Sequence, residues 1–401
     1  MRRFVSDLIA GEMTRLRPTG FAAPASPFDA TLSLTDDLGL DSLELVRLAS
    51  ALNDILHLHA SGVEDRLLMQ RRVGDWTATA IEGLSTYADT LTFRTSGSSG
   101  SPKRCTHAVT DLYQEVTELS ALFQDRRRVL SAVRSHHIYG FLFTIALPDV
   151  LGLSRDAVVD ARQMLPSSLP NRMREGDLII GYPDFWRDVA RAPMPIPADV
   201  IGVTSTAPCP DDVARDLEQL GLARLVQVYG STETAGVGVR TSAASPFELL
   251  RFWRRDEDGQ RDLVRTGSDG RDVIKQIPDI LAWEGDRHFR PLRRADDVVQ
   301  VGGVNVSLSS VRAVLLHHPG VRDAAVRSWS GGSGDRIKAF VVPHETKVDT
   351  RLLHADLEGW IAERLPAAER PRAISFGDAI PVNEQGKQID WSVTTVESKF
   401  P

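Results

Sequence analysis

From residue 91 to residue 229, short strand-like apolar runs alternate with runs of helical period, and this alternation limits the chain's possible folds more than any other feature. The runs 91–94, 128–133, 177–181, 200–203 and 225–229 are separated by candidate helices such as 111–123 and 210–220. Strand, helix and strand in succession build a largely parallel sheet covered by helices, so an α/β layer is predicted. The pattern changes on either side. Between residues 3 and 84 apolar side chains recur at helical spacing, first Phe4, Leu8, Ile9 and Met13, then Leu43, Leu45, Val46, Leu48, Leu52 and Ile55. A Gly- and Pro-punctuated loop at 18–27 divides them, giving a small helical bundle. Residues 249–283 read as hairpin-like strands with turns at Asp258-Gly259 and Asp269-Gly270. The last region, from about 297 to 401, mixes strands with two amphipathic helices, as in a small α+β lid. The predicted boundaries are a helical module over 1–86, a large α/β domain over 87–295 and a small mobile domain over 296–401.

At 401 residues the chain is too long for one core and long enough to hold a cleft between domains. The 47 Lys and Arg stand against 54 Asp and Glu, a net charge of −7 that gives no footprint for a phosphate backbone, so nucleic acid is not an expected partner. Cys105 and Cys209 are the only cysteines, too few for a disulfide framework or a four-thiolate zinc site. Asp7 and Glu12 interrupt the apolar start, and no run approaches a membrane span. A cytoplasmic protein is expected.

The segment Thr95-Ser96-Gly97-Ser98-Ser99-Gly100-Ser101-Pro102-Lys103 follows the first strand-like run. Glycines let several amide donors face one anion, hydroxyls add donors and a lysine adds countercharge, so such a loop can wrap a triphosphate. A Ser/Gly run alone reads equally as a linker. The flanking strand and the closing Pro-Lys favour the phosphate loop. Its spacing departs from Gly-x-x-x-x-Gly-Lys-Ser/Thr, because Pro102 separates glycine from lysine.

The loop instead resembles that of the adenylate-forming superfamily, which takes in acyl- and aryl-CoA ligases, peptide-synthetase adenylation domains and luciferases. Further blocks follow in that family's order. Tyr229-Gly230-Ser231-Thr232-Glu233 matches Tyr-Gly-x-Thr-Glu, which implies Thr232 on the α-phosphate, Glu233 on Mg2+ and Tyr229 beside the adenine. Arg294-Ala295-Asp296-Asp297 and Gly302-Gly303 match the block that joins the two domains. Asp279, 17 positions before Asp296, falls where relatives hold the ribose hydroxyls; Arg294 assists there and Asp296 resembles the hinge. Asn383-Glu384-Gln385-Gly386-Lys387 matches the final block, which makes Lys387 the lysine that bridges carboxylate and α-phosphate. Thr206-Ala207-Pro208 is similar to the Gly-Ala-Pro turn near the adenine, or is a plain loop. Ser135-His136-His137-Ile138-Tyr139-Gly140-Phe141 resembles the His-x-x-Gly segment, which sets His137 against the acyl group, although a histidine on an apolar stretch also reads as a packed core residue.

Residues 34–45, with Asp41-Ser42-Leu43, resemble the Asp-Ser-Leu motif of acyl carrier proteins, whose serine bears 4′-phosphopantetheine. Asp41 and Ser42 are also helix N-cap chemistry, which leaves an unmodified bundle as the alternative. Taken together, the resemblance implies ATP- and Mg2+-dependent activation of a carboxylic acid to an acyl adenylate and its transfer to a thiol. The compact build is similar to that of ligases of the aryl polyene and xanthomonadin type, which load a hydroxybenzoate-like acid onto a carrier protein. Free CoA is the alternative acceptor, and a non-catalytic nucleotide-binding scaffold is the alternative of another class.

Overall fold

The computed structural model describes residues 1–17, 20–94, 103–256, 262–294, 298–330, 335–345, 349–381 and 390–393. The described residues pack into two compact units. The larger takes residues up to 94, 104–277 and 281–291; the smaller takes Lys103, residues 278–280 and those from 292 onward.

The chain enters the larger unit through α1 (Arg2–Leu16), α2 (Ser42–Leu56), α3 (Arg66–Met69) and α4 (Val73–Thr86). The start of α2 carries a reciprocal capping box: Glu44 N donates to the Asp41 carboxylate (2.8 Å), and Asp41 N donates to Glu44 Oε2 (3.0 Å). Asp41 is therefore the N-cap, and Ser42 is the first helical residue with an exposed side chain.

The strands β1 (Thr90–Arg94) and β2 (Arg104–Ala108) pair antiparallel, with Arg94 opposite Arg104. The helix α5 (Val109–Ser120) follows, then β3 (Arg128–Ser131), α6 (Ile138–Phe141), α7 (Leu147–Val150), β4 (Val158–Asp160), β5 (Asp177–Gly181), α8 (Pro183–Val189), β6 (Ile201–Thr204), α9 (Asp211–Gln219), β7 (Arg224–Ser231), β8 (Ala235–Arg240) and β9 (Phe247–Leu249). Next come β10 (Trp253–Arg255), β11 (Asp262–Thr266), β12 (Asp272–Gln276), β13 (Asp279–Glu284) and β14 (His288–Arg294). Among the described residues nine strands form one sheet in the order β13-β14-β9-β8-β7-β6-β5-β3-β4. Strands β3 to β7 pair parallel, β8 runs antiparallel to β7, and β9 runs antiparallel to β8. The alternating pattern of the sequence thus yields the parallel sheet it predicts. The strands β10, β11 and β12 form a separate antiparallel meander, with Gly270 at positive φ in the Asp269-Gly270 turn; the Asp258-Gly259 turn lies outside the described residues.

The first 86 residues were expected as a module of their own, yet their packing joins them to the sheet. Phe4, Leu8, Leu48, Leu52 and Trp76 belong to the same buried cluster as Phe93, Phe141, Val226 and Val228. The Phe4 ring meets that of Phe141 edge-on at 6.2 Å, and Phe93 lies 5.6 Å from Phe141. A carrier-like bundle standing before the large domain is thus not what this packing presents.

The smaller unit has its own core. Its elements are β15 (Val298–Val301), β16 (Val304–Ser307), α10 (Leu308–Leu316), β17 (Val321–Ser330), β18 (Asp335–Pro343), α11 (Thr350–Arg364) and β19 (Ala373–Phe376). The strands β17 and β18 pair antiparallel and β19 joins β18 in parallel, under a core of Val306, Val311, Leu315, Ile337, Ala339, Val341, Leu357 and Ile361. Mixed strands and two helices are what the sequence predicts for this region.

Candidate active site

Four parallel strands end at one edge of the sheet, and the segments leaving them carry most of the polar residues singled out in the sequence. Residues 132–137 leave β3, Tyr182 leaves β5, Ser205 to Pro208 leave β6, and the pentad Tyr229 to Glu233 spans the end of β7. In open α/β sheets ligands bind at the carboxyl ends of the strands, where loops can diverge while the sheet holds their roots. His137, Ala207, Pro208, Tyr229, Gly230, Ser231, Thr232 and Glu233 therefore share one rim of the larger unit.

The pentad forms a tight hairpin. Gly230 faces Gly236 across β7 and β8 after a register shift at Tyr229/Gly230, and a Cβ on Gly230 would lie 2.1 Å from the Ala235 carbonyl, so only glycine fits. The Ser231 hydroxyl accepts from Glu233 N (3.2 Å) and Thr234 N (3.3 Å), which folds the turn over itself. His107 of β2 reaches the Thr232 carbonyl with Nε2 at 2.7 Å. A carbonyl can only accept, so Nε2 carries the proton, and burial keeps the imidazole neutral by lowering its pKa. This hold leaves the Thr232 side chain half-buried and the Glu233 carboxylate exposed. Tyr229 packs against Phe289 (5.1 Å) and Phe247 (5.8 Å), making an aromatic flank beside the turn.

The neighbouring loop after β6 is strained at Thr206, whose φ is +77. A β-branched residue seldom adopts this conformation, and its occurrence here agrees with the resemblance to a turn that begins with glycine. Farther along the rim, Tyr139 Oη donates to the carbonyls of Gly181 (2.9 Å) and Val203 (3.2 Å), tying α6 to the ends of β5 and β6. Gly140 is forced, since a Cβ there would lie 1.8 Å from the Arg134 carbonyl. His137 retains exposed surface, yet the protein around it, and next the charge of Arg134, lower its pKa. Its ring lies 4.1 Å from that of His136.

The front helices build the walls of this region, a role the sequence did not reveal. Asp7 of α1, 1% exposed, accepts from Ser135 N (2.8 Å), Ser135 Oγ (2.7 Å) and Arg162 (2.7 Å), which fixes the segment leading to His137. Gly11 of α1 faces the His136 ring, where a Cβ would lie 2.7 Å away. Asp54 of α2 binds both Arg94 (2.5 Å) and Arg104 (3.2 Å). Those arginines would repel across the strand pair, and the shared carboxylate holds them together at the base of the predicted phosphate loop.

The remaining predicted residues are distributed as follows. Ser42 opens α2, far along the chain from the rim segments; Lys103 is exposed and precedes β2; Asp279 opens β13 and Arg294 closes β14. Lys103, Asp279 and Arg294 belong by packing to the smaller unit. Thr95, Ser96, Gly97, Ser98, Ser99, Gly100, Asp296 and Lys387 lie outside the described residues. Among the described residues no group of three or more His, Cys, Asp or Glu is placed to hold a metal by protein ligands alone. An exposed Glu233 carboxylate beside a threonine hydroxyl suits Mg2+, which takes one or two carboxylates and fills its shell with water and substrate phosphates.

Residues 91–291 match the family model of the AMP-binding enzymes, and residues 310–387 match that of the AMP-binding enzyme C-terminal domain. The chain belongs to the adenylate-forming, AMP-binding enzymes. It is similar to the 4-coumarate–CoA ligase of Halorhodospira halophila, 38% identical over 391 residues that cover 96% of this chain and 97% of that one. The 4-coumarate–CoA ligase of Cereibacter sphaeroides is 36% identical, over 94% of this chain and 88% of the other. In fold the ligase is similar to o-succinylbenzoate CoA synthetase from Bacillus subtilis, with a TM-score of 0.62 at 20% identity over 81% of this chain and 73% of that one. The ligase is an AMP-forming acid–thiol ligase, and such adenylate-forming ligases use ATP and Mg2+. The near full-length match takes in most of residues 1–86, so the front helices are shared with a relative named as a CoA ligase.

Proposed function

We propose that this ligase joins an aryl acid of the 4-coumarate class to CoA by way of an acyl adenylate. The near full-length identity to 4-coumarate–CoA ligases carries the reading, and it favours CoA over a carrier protein as acceptor. The capping box supports the same choice, because Asp41 and Glu44 account for the Asp-Ser-Leu pattern without a modified Ser42.

In the first step a carboxylate oxygen bonds to the α-phosphorus and the bond to pyrophosphate breaks. In the second, the CoA sulfur bonds to the acyl carbon and AMP leaves. Such steps need alignment and charge neutralisation more than covalent help. The roles we assign are Thr232 on the α-phosphate, residues 95–100 and Lys103 on the outer phosphates, and Lys387 between carboxylate and α-phosphate. Tyr229, Gly230, Ser231, Ala207 and Pro208 take the adenine side, Asp279 and Arg294 the ribose, and His137 the acid. Glu233 would hold Mg2+, which would supply countercharge to the phosphates. Asp296 serves as the hinge about which Lys387 withdraws before thiol attack.

The test is ATP–pyrophosphate exchange over a panel of aryl and alkyl acids, with thioester formation assayed in parallel with CoA and with a holo-carrier protein. Exchange with hydroxycinnamates and thioester with CoA are expected. Thioester formed only on the carrier overturns the acceptor, and exchange confined to alkyl acids overturns the acid.

A further inference from the structure

The apolar face of α5 contains Leu112, Glu115, Val116 and Leu119, all buried, so one carboxylate stands in a stripe of aliphatic side chains. Glu115 is 1% exposed. Its Oε2 accepts from the backbone N–H of Gly236 at 3.0 Å, while Oε1 is buried with no hydrogen-bond partner. The approach is possible only because residue 236 is glycine: a Cβ there would lie 2.3 Å from Oε1. On the other side of the same residue the Trp253 indole donates to the Gly236 carbonyl at 2.7 Å. Gly236 is thus gripped from α5 and from β10, directly opposite Gly230 in the hairpin whose turn carries Thr232 and Glu233.

The need for a grip arises locally. The register shift at Tyr229/Gly230 interrupts the ladder at the start of β8, and of the β8 residues β9 pairs with Gly238 and Val239 but not with Gly236. A buried N–H without a ladder partner needs another acceptor, and for Gly236 the Glu115 side chain provides it. Glutamine would do so without the cost of burying a charge, so an ionisable acid at this position calls for a reason. A hydrogen bond to a carboxylate is about twice as strong as one to a neutral acceptor, so ionisation tightens the hold on the hairpin.

We infer that Glu115 is a positioning residue for the adenylation step, setting the Thr232–Glu233 turn through Gly236 and doing so more firmly when ionised. The inference rests on the proposed roles of Thr232 and Glu233. The charged groups around Glu115 are Arg265 on β11, which favours the carboxylate, and Glu118 on its own helix, which opposes it. Desolvation, with Glu118 on its side, outweighs the Gly236 N–H and Arg265 and raises the acid to about 7, so the ionised fraction changes across neutral pH.

The experiment measures kcat/KM for ATP in pyrophosphate exchange from pH 6 to 8.5 for wild type, Glu115→Gln and Glu115→Ala, beside thioester formation from supplied acyl adenylate. Wild type is expected to gain adenylation activity as pH rises through neutrality. Glu115→Gln, which keeps an acceptor but no charge, loses that limb and at high pH falls about fivefold below wild type. Glu115→Ala falls further in exchange, while thioester formation from the adenylate stays within about twofold in both variants. A Glu115→Gln profile that keeps the wild-type limb overturns the inference. So does an equal loss in both half-reactions, which marks a merely structural residue. Glu115→Gln keeps the test decisive if Glu115→Ala fails to fold. Thr232→Ala and Glu233→Gln are run alongside: full exchange in both would sink the reading of the turn, a result distinct from any failure of Glu115.

Discussion

The front helices and the smaller unit both flank the sheet in sequence, and both read as small folded bodies, yet they bury their apolar faces in different ways. Residues from α1 to α4 send Phe4, Leu8, Leu52 and Trp76 into a cluster that continues through Phe93 and Phe141 to Val226. The smaller unit closes on itself, its helix residues Val311, Leu315, Leu357 and Ile361 packing with Ile337, Ala339 and Val341. Helical periodicity tells that a face is buried but not against what. Residues 298–376 contain both strands and helices and so can satisfy one another, whereas the front helices reach the site through Asp7, Gly11 and Asp54.

The largest expected effect follows directly from this contrast. Phe4→Ala removes a fully buried ring and costs about 3–5 kcal/mol, lowering the denaturation midpoint of the larger unit as a whole. Leu357→Ala costs about 2–5 kcal/mol and opens the smaller unit alone. Hydrogen exchange resolves the two. Protection lost only within residues 1–86 of Phe4→Ala, with β5 to β7 unchanged, would break the comparison.

Two buried charges sharpen it further. Glu115 in the larger unit has its pKa raised from 4.5 to about 7 by desolvation. A raised acid binds its proton more tightly when folded, so the contribution it makes to stability is whole below pH 4.5 and is lost as pH rises through about 7. Glu115→Gln does not titrate. Its stability relative to wild type should therefore climb by about 3 kcal/mol between pH 4 and pH 8 in denaturant melts. A difference that is flat with pH, or falls, contradicts the burial argument.

Lys338 in the smaller unit is the opposite case, a buried cation with its partners in place. At 3% exposure its Nζ donates to the Trp391 carbonyl (2.6 Å), pairs with Asp390 (2.8 Å) and lies 5.0 Å from the Trp391 ring centroid. This clasp fixes the chain three residues beyond Lys387. Because Asp390 is 68% exposed, the ion pair itself is screened, and the loss in Lys338→Met is set by the hydrogen bond, about 2 kcal/mol. Faster exchange at Trp391 with β17 unchanged is the expected signature; an unaltered Trp391 refutes the clasp.

Much of this arrangement was written plainly in the sequence, and the exceptions have physical causes. Strands β3, β5, β6 and β7 announce themselves as apolar runs fully or largely buried on both faces, and the pentad Tyr229 to Glu233 marks the rim. The strand β4 escaped notice because it is three residues long, and β8 because its two glycines dilute any strand signal. Glu115 had a faint signal, an acid between Leu112, Val116 and Leu119 on one helical face. An isolated acid of that kind is ordinarily a residue at the edge of the face, so only the packing reveals its grip on Gly236. Asp7 is similar: what read as an interruption of the apolar start is a buried anchor for Ser135 and Arg162.

The smallest expected effect decides what the front helices are for. If they served as a carrier, Ser42 would be indispensable; if they are walls of the site, Asp41 matters more than its neighbour. Asp41→Ala removes the N-cap that holds Glu44 N and should cost about 1 kcal/mol. Ser42→Ala touches an exposed side chain at the first helical position and should change stability by less than about 0.5 kcal/mol, with CoA-dependent thioester formation unaltered. Intact mass after incubation with a phosphopantetheinyl transferase and CoA completes the comparison. A mass gain on wild type that Ser42→Ala abolishes, together with lost thioester formation, would restore the carrier and make the buried contacts of α1 and α2 its docking surface rather than a wall.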